Sequence, residues 1–135
     1  MSVAKGHFEV QMEPVSQAGE QGVSLGYMTL SKTWTGDLDG ASAGGMLTAM
    51  TPVEGSADYV AIEPFVGRLH DRRGAFVLTH HGRMRGANSE LNLSVVPDSG
   101  TEQLTGITGT MTIGPAAEGH PWKFTYDLPR GAEGA

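Results

Sequence analysis

Two strand-like runs on either side of a polar turn constrain the fold of this chain more than any other feature. Residues 57–69 and 75–85 are rich in β-branched and aromatic residues, and residues 70–74 between them include charged side chains and a glycine. This arrangement predicts an antiparallel β-hairpin. The hairpin also carries a carboxylate, Glu63, and an imidazole, His80, inside otherwise apolar runs.

The remainder of the chain predicts more strands of the same kind. Period-two alternation and turn-bounded apolar runs predict strands at residues 3–12, 24–35, 41–51, 90–96, 103–113 and 122–128. The first is predicted to break at Glu13–Pro14, and residues 16–22 to form a loop. Gly106 and Gly109 interrupt the seventh strand, as glycines do at a barrel corner.

We therefore predict an all-β fold, an eight-stranded antiparallel β-barrel, because closure leaves no unpaired sheet edge. A two-sheet sandwich is the alternative. At 135 residues the chain is expected to form one domain, residues 1–135. Residues 129–135 are expected to be a disordered tail.

Composition excludes several function classes. The net charge of −6 argues against nucleic acid and against an anionic membrane surface as partners. The absence of cysteine removes disulfides, thiolate nucleophiles and cysteine-based metal sites. With no signal-peptide pattern and no long apolar run, we expect a cytoplasmic protein.

Neither a metal site nor a cofactor site is predicted. His80 and His81 are neighbours on one strand, so they point to opposite faces and cannot share an ion within the barrel. The other histidines have no ligand spacing. No phosphate-binding glycine motif is present.

The fourth predicted strand, residues 57–69, is apolar on both faces, which is typical of a strand covered on both sides. One cover would be the barrel interior and the other a partner subunit. We therefore expect a homo-oligomer.

Glu63 and His80 are the candidate catalytic residues. If Glu63 faces inward, burial would raise the pKa of its carboxyl group and make it a candidate general acid or base. His80 lies on the more apolar face of the next strand and could pair with it across the hairpin. Such a pair suits proton transfer. The alternative is a buried pair with a purely structural role.

Apolar and aromatic residues are the candidate lining of a pocket for a small ligand or substrate. The alternative is simple core packing. The residues are Trp34, Met46, Tyr59, Phe65, Phe76, Trp122 and Tyr126.

Five blocks of sequence, in order, resemble the bacterial proteins grouped as "domain of unknown function 3224". They are residues 36–47 (GDLDGASAGGML), 55–63 (GSADYVAIE), 76–82 (FVLTHHG), 95–101 (VVPDSGT) and 104–109 (LTGITG). The resemblance implies an eight-stranded barrel similar to allene oxide cyclase, a self-associating enzyme. It implies no activity, and no catalytic residue is carried over from it.

Three functions follow as hypotheses. The first is a cofactor-free cyclase or isomerase acting on a small hydrophobic substrate, with Glu63 and His80 moving a proton or polarising an oxygen. The second is a protein that binds a small hydrophobic ligand without altering it. The third is a structural oligomer with a filled lumen.

Overall fold

The chain folds into a closed barrel of eight antiparallel strands, in a computed structural model that describes residues 1–129. Each strand pairs with the next along the chain, and the last pairs with the first. The predicted fold class is confirmed. The strands are β1 (Ser2–Glu20), β2 (Val23–Gly36), β3 (Leu38–Met50), β4 (Ala57–Leu69), β5 (Arg72–Arg85), β6 (Asn88–Val95), β7 (Thr108–Ile113) and β8 (Trp122–Asp127).

Strand β1 does not end at Pro14, so the predicted break there is wrong. Pairing with β2 continues on both sides, from Pro14 opposite Met28 to Ser16 opposite Tyr27. The register shifts by one residue between them, which is a β-bulge. A bulge accommodates a residue that has no N–H to donate to the ladder, and the strand can then resume.

Strand β7 is shorter than the prediction of residues 103–113. Glu102–Leu104 form a single 3-10 turn, and Gly106 adopts a φ of 81° that few other residues tolerate. This detour turns Leu104 and Ile107 into the barrel, where both are fully buried. Hydrophobic burial at the end of the barrel therefore takes precedence over continuing the strand.

The barrel is fully closed along only part of its length. Strands β1 and β8 pair over Ser2–Gly6, and β6 pairs with β7 through Leu93 and Ser94. The longer strands β1–β5 run on past these closing pairs. We call residues 12–30, 44–61 and 80–92 the extension.

The closed part is filled by an aromatic core. Trp34 lies 5.0 Å from Phe8 and 5.6 Å from Trp122, ring centroid to ring centroid. Phe76 lies 5.1 Å from Phe65 and 5.6 Å from Phe124 by the same measure. Aromatic rings of this size dominate the energetics of a small core.

The predicted disordered tail falls almost wholly on residues 130–135, which lie outside the described part.

Within residues 1–129, no helix has the length and apolar character needed to cross a membrane.

Candidate functional site

A cluster of four polar side chains is buried inside the barrel, around Glu63. Lys32 Nζ donates to Glu63 Oε1 at 3.1 Å, and His80 Nε2 lies 2.6 Å from the same oxygen. The Ser42 hydroxyl donates to Oε2. Glu63 has no solvent exposure, and Lys32, Ser42 and His80 are 7%, 5% and 6% exposed. Four strands, β2 to β5, thus each supply one member.

The side-chain alternation of these strands explains why the four residues meet. Inward positions on β4 include Phe65, Glu63 and Ala61, which are buried, whereas the residues between them are exposed. In the β4–β5 ladder Glu63 is opposite Leu78, and His80 is opposite Ala61. The Glu63–His80 contact is therefore diagonal. The structure brings together the two candidate catalytic residues, two positions away from direct cross-strand pairing.

Glu63 is held as a carboxylate, so the expected rise of its pKa is wrong. Burial does raise the pKa of Glu63. The hydrogen bond from His80, the charge of Lys32 and the hydrogen bond from Ser42 act in the opposite direction and together bring that pKa below its ordinary value. An ionised Glu63 has no proton to give, so it is not a general acid at neutral pH.

Lys32 and Ser42 are members of the site that sequence reasoning missed. Lys32 Nζ lies 4.3 Å from the centre of the Phe8 ring and 5.2 Å from that of Trp34. Burial lowers the pKa of Lys32, and the nearby Glu63 carboxylate only partly offsets that effect. Trp34 Nε1 donates to the Ser42 hydroxyl at 2.9 Å. The sequence did contain a signal for Lys32, because this lysine shares one face of β2 with the apolar residues Leu30 and Trp34.

The tautomer of neutral His80 follows from its partner. An ionised carboxylate only accepts hydrogen bonds, so Nε2 must donate to Glu63. The other ring nitrogen, Nδ1, then carries a lone pair. Nδ1 has no hydrogen-bond partner among residues 1–129, and it is not among the fully buried polar atoms that lack a partner. Neutral His80 therefore has a basic nitrogen at Nδ1 and a donor at Nε2.

The inner face of the extension forms an apolar hollow of about 240 Å³. Its lining includes Met28, Met50, Met84 and Tyr59. The Tyr59 ring lies over Gly82, where a Cβ atom would overlap it. Burial and the Glu63 charge both raise the pKa of Tyr59, so this side chain lies within the electrostatic reach of the polar cluster.

The predicted ligand-binding residues divide into two groups. Tyr59 lines the hollow, and Met46 is half-buried on the inner face, opposite Met28 in the ladder. The other five are buried in the aromatic core, so the structure does not place them around a pocket. They are Trp34, Phe65, Phe76, Trp122 and Tyr126.

No group of three or more acidic, histidine or cysteine side chains within residues 1–129 is arranged to hold a metal ion. The polar cluster has one carboxylate and one imidazole. It also contains the ammonium group of Lys32, which repels cations. Its chemistry is that of acid–base or hydrogen-bond groups.

Comparison with known proteins agrees with this fold. A crystal structure of a protein of unknown function from the DUF3224 family of Shewanella oneidensis MR-1 superimposes with a TM-score of 0.90 at 45% sequence identity. The match covers 96% of this chain and 98% of that one. No curated protein matches. Residues 4–128 match the family described as "Protein of unknown function (DUF3224)", and the chain therefore belongs to that family.

Proposed function

We propose that this protein binds a small, mainly apolar molecule in the hollow of the extension. The observation that carries the proposal is the convergence of three methionines and a tyrosine on a space of about 240 Å³. Methionine side chains are flexible and polarisable, and they adapt to apolar ligands of varied shape. The hollow is open to solvent, since Met50 and Met84 are 60% and 48% exposed, and its volume suits a single ring or a short chain.

The lining also has polar groups that would orient such a ligand. Thr48 and Gln17 line the same hollow and have a hydroxyl and an amide group. A mostly apolar wall with a few polar groups is typical of small-molecule sites. An alcohol, phenol or short-chain amide fits this combination.

The binding test uses ¹³C-labelled methionine methyl groups as reporters. Titration with p-cresol, indole and 1-hexanol should shift the methyl signals of Met28, Met50 and Met84, whereas Met111 in the closed core should not respond. Met84→Glu should abolish the shifts, because it places a charge in the apolar lining. Met12→Glu is the matched control, since Met12 is 51% exposed and does not line the hollow.

Two results would contradict the binding proposal. One is that none of the three probes shifts a methyl group of the hollow. The other is that Met84→Glu binds the probes as tightly as the wild type.

Acid–base catalysis is the second candidate, and the unpaired Nδ1 of His80 favours it. Glu63 would orient the imidazole and stabilise its charged form, and His80 would accept the proton of a substrate. This division of roles replaces the one expected from sequence, in which Glu63 itself exchanged a proton. A cofactor-free isomerase or cyclase acting on an apolar substrate is the reaction class it supports.

The tautomer of His80 tests the catalytic candidate without a known substrate. ¹⁵N spectra at a pH where the ring is neutral should show a protonated Nε2 and a bare Nδ1. In Glu63→Gln the preference should weaken, because an amide can also donate to the ring. A wild-type ring protonated at Nδ1 would remove the proposed base.

A further inference from the structure

The outer face of the barrel carries a continuous apolar surface over β2, β3 and β4. Its large residues, which we call the outer patch, are between 39% and 66% exposed: Leu25, Tyr27, Leu47, Val60, Ile62 and Val66. These side chains alternate along the strands with inward residues such as Glu63 and Phe65. They therefore belong to the surface and contribute nothing to the core.

The residues of the outer patch are neighbours in the ladders. Tyr27 is opposite Leu47, and Leu47 is opposite Val60. Ile62 is opposite Gly45 on one side and Thr79 on the other. The surface is concave here, with a groove of about 660 Å³ lined by Tyr27, Leu47, Val60 and Ile62 among others.

Charged side chains are confined to the two ends of this surface. No outward position from Ala41 to Ala49 on β3, or from Val60 to Val66 on β4, is charged. Asp39 and Arg68 are paired in the ladder at one end. At the other end Arg83 Nη2 lies 3.0 Å from Asp58 Oδ2. The middle is apolar and the rim is polar, which is the composition of a protein interface.

The size of the surface selects among occupants. From Val60 to Val66 it runs roughly 20 Å, and its three strands make it roughly 10 Å wide. One small molecule covers only part of such an area. An anionic membrane is disfavoured by the net charge of −6. A stable protein interface buries about 800 Å² on each partner, and this surface is large enough to form the centre of one.

We propose that a second copy of this chain covers the outer patch, forming a homodimer with two-fold symmetry. The two-fold axis lies across the strands, so Arg68 at one end of β4 meets Asp58 at the other end of the partner's β4, and these charges are unlike. Strand β4 is then covered on both sides, by its own barrel core and by its partner's β4 face.

Sedimentation velocity over the micromolar range tests the dimer. The wild type should sediment with twice the 14.2 kDa mass of one chain. Ile62→Lys should sediment as a monomer, because the interface would then bury an unpaired charge. Val53→Lys is the matched control, since Val53 is 66% exposed in the turn after β3 and lies off the patch. It should remain dimeric, and both variants should keep the wild-type circular dichroism spectrum.

Disulfide trapping provides a second measurement that does not depend on weakening the interface. The chain has no cysteine, so a single introduced thiol can only cross-link to another copy. Oxidised Ile62→Cys should run as a covalent dimer, and Val53→Cys should stay monomeric. A wild type that is monomeric at every concentration overturns the proposal. Binding of that monomer to phosphatidylcholine vesicles would overturn it as well and assign the patch to lipid.

Discussion

Three donors converge on Glu63, and they decide its chemistry. A buried carboxylate alone would be costly, but Lys32, Ser42 and His80 together satisfy both of its oxygens. The cluster is therefore stable as an ionised unit, and the loss of any member leaves a buried polar group without a partner.

Replacement of Glu63 by glutamine should destabilise the fold. The ammonium of Lys32 would stay buried without its counter-charge, which costs about 3 kcal/mol. Urea unfolding, followed by tryptophan fluorescence, gives the free energy of unfolding. Glu90→Gln is the matched control because Glu90 is exposed on β6. A loss no larger than that of the control would show that the cluster contributes little to stability.

The same carboxylate should make stability sensitive to acid. The ordinary pKa of a glutamate is 4.5, and folding lowers the pKa of Glu63 below that value. At a pH between the two pKa values, the unfolded chain therefore binds more protons than the folded protein. Its stabilising contribution is complete above pH 4.5 and is lost as the pH falls through the folded pKa. Unfolding free energies of the wild type and Glu63→Gln should converge as the pH falls below 4.5. A constant difference would contradict the lowered pKa.

At the scale of elements, two departures from regular strands shape the barrel. The bulge after Pro14 allows β1 to run the full length of the extension, where it forms one wall of the hollow. The detour at Gly106 turns Leu104 and Ile107 inward and fills the closed end. The first departure accommodates a proline that has no N–H to donate, and the second buries two apolar side chains through the left-handed backbone of Gly106.

Gly106→Ala should destabilise the barrel by about 1–2 kcal/mol, the cost of a left-handed backbone for a residue with a Cβ atom. The new Cβ would also lie 2.5 Å from the Pro129 ring. Gly19→Ala is the control, since Gly19 has no positive φ and its nearest neighbour, the Val23 carbonyl oxygen, would lie 3.5 Å away. Thermal unfolding should rank the control close to the wild type. Equal effects of the two changes would exclude strain at Gly106.

At the scale of the whole molecule, closure depends on a short contact between the first and last strands. Five residue pairs join Ser2–Gly6 to Trp122–Tyr126. These pairs cover the side of the aromatic core that includes Phe124 and Tyr126, both buried. The chain ends of the barrel therefore hold the closed part together, and the extension does not.

Deletion of residues 1–6 should open the barrel and abolish cooperative unfolding. The edge of β8 would lose all its pairs with β1, whereas β1 would keep its pairing with β2 from His7 to Glu20, and apolar core would be exposed at the gap. Trp34 and Trp122 are buried, so their fluorescence emission should shift to longer wavelength. Val3→Ser keeps the strand pairing and should leave the emission unchanged. A cooperative transition in the truncated chain would show that the barrel does not need the β1–β8 pairs.

Alternation and turn chemistry account for most of what was predictable. They indicated eight strands, a closed barrel, and inward positions for Glu63 and His80. They failed where a strand pattern was interrupted. Pro14 and Gly106 both interrupt such a pattern, and the local sequence does not show whether the strand continues past the interruption or begins after it. One marks a bulge inside a strand, and the other marks its beginning.

The sequence by itself determined the class of fold, because period-two patterning fixes which side chains share a face. Only the tertiary structure decided the chemistry of the site. Lys32 and Ser42 reach Glu63 from strands that are 31 and 21 residues away in the chain. The state of a buried carboxylate depends on which donors surround it, and that depends on strand register and barrel closure, which are long-range properties that no local pattern carries.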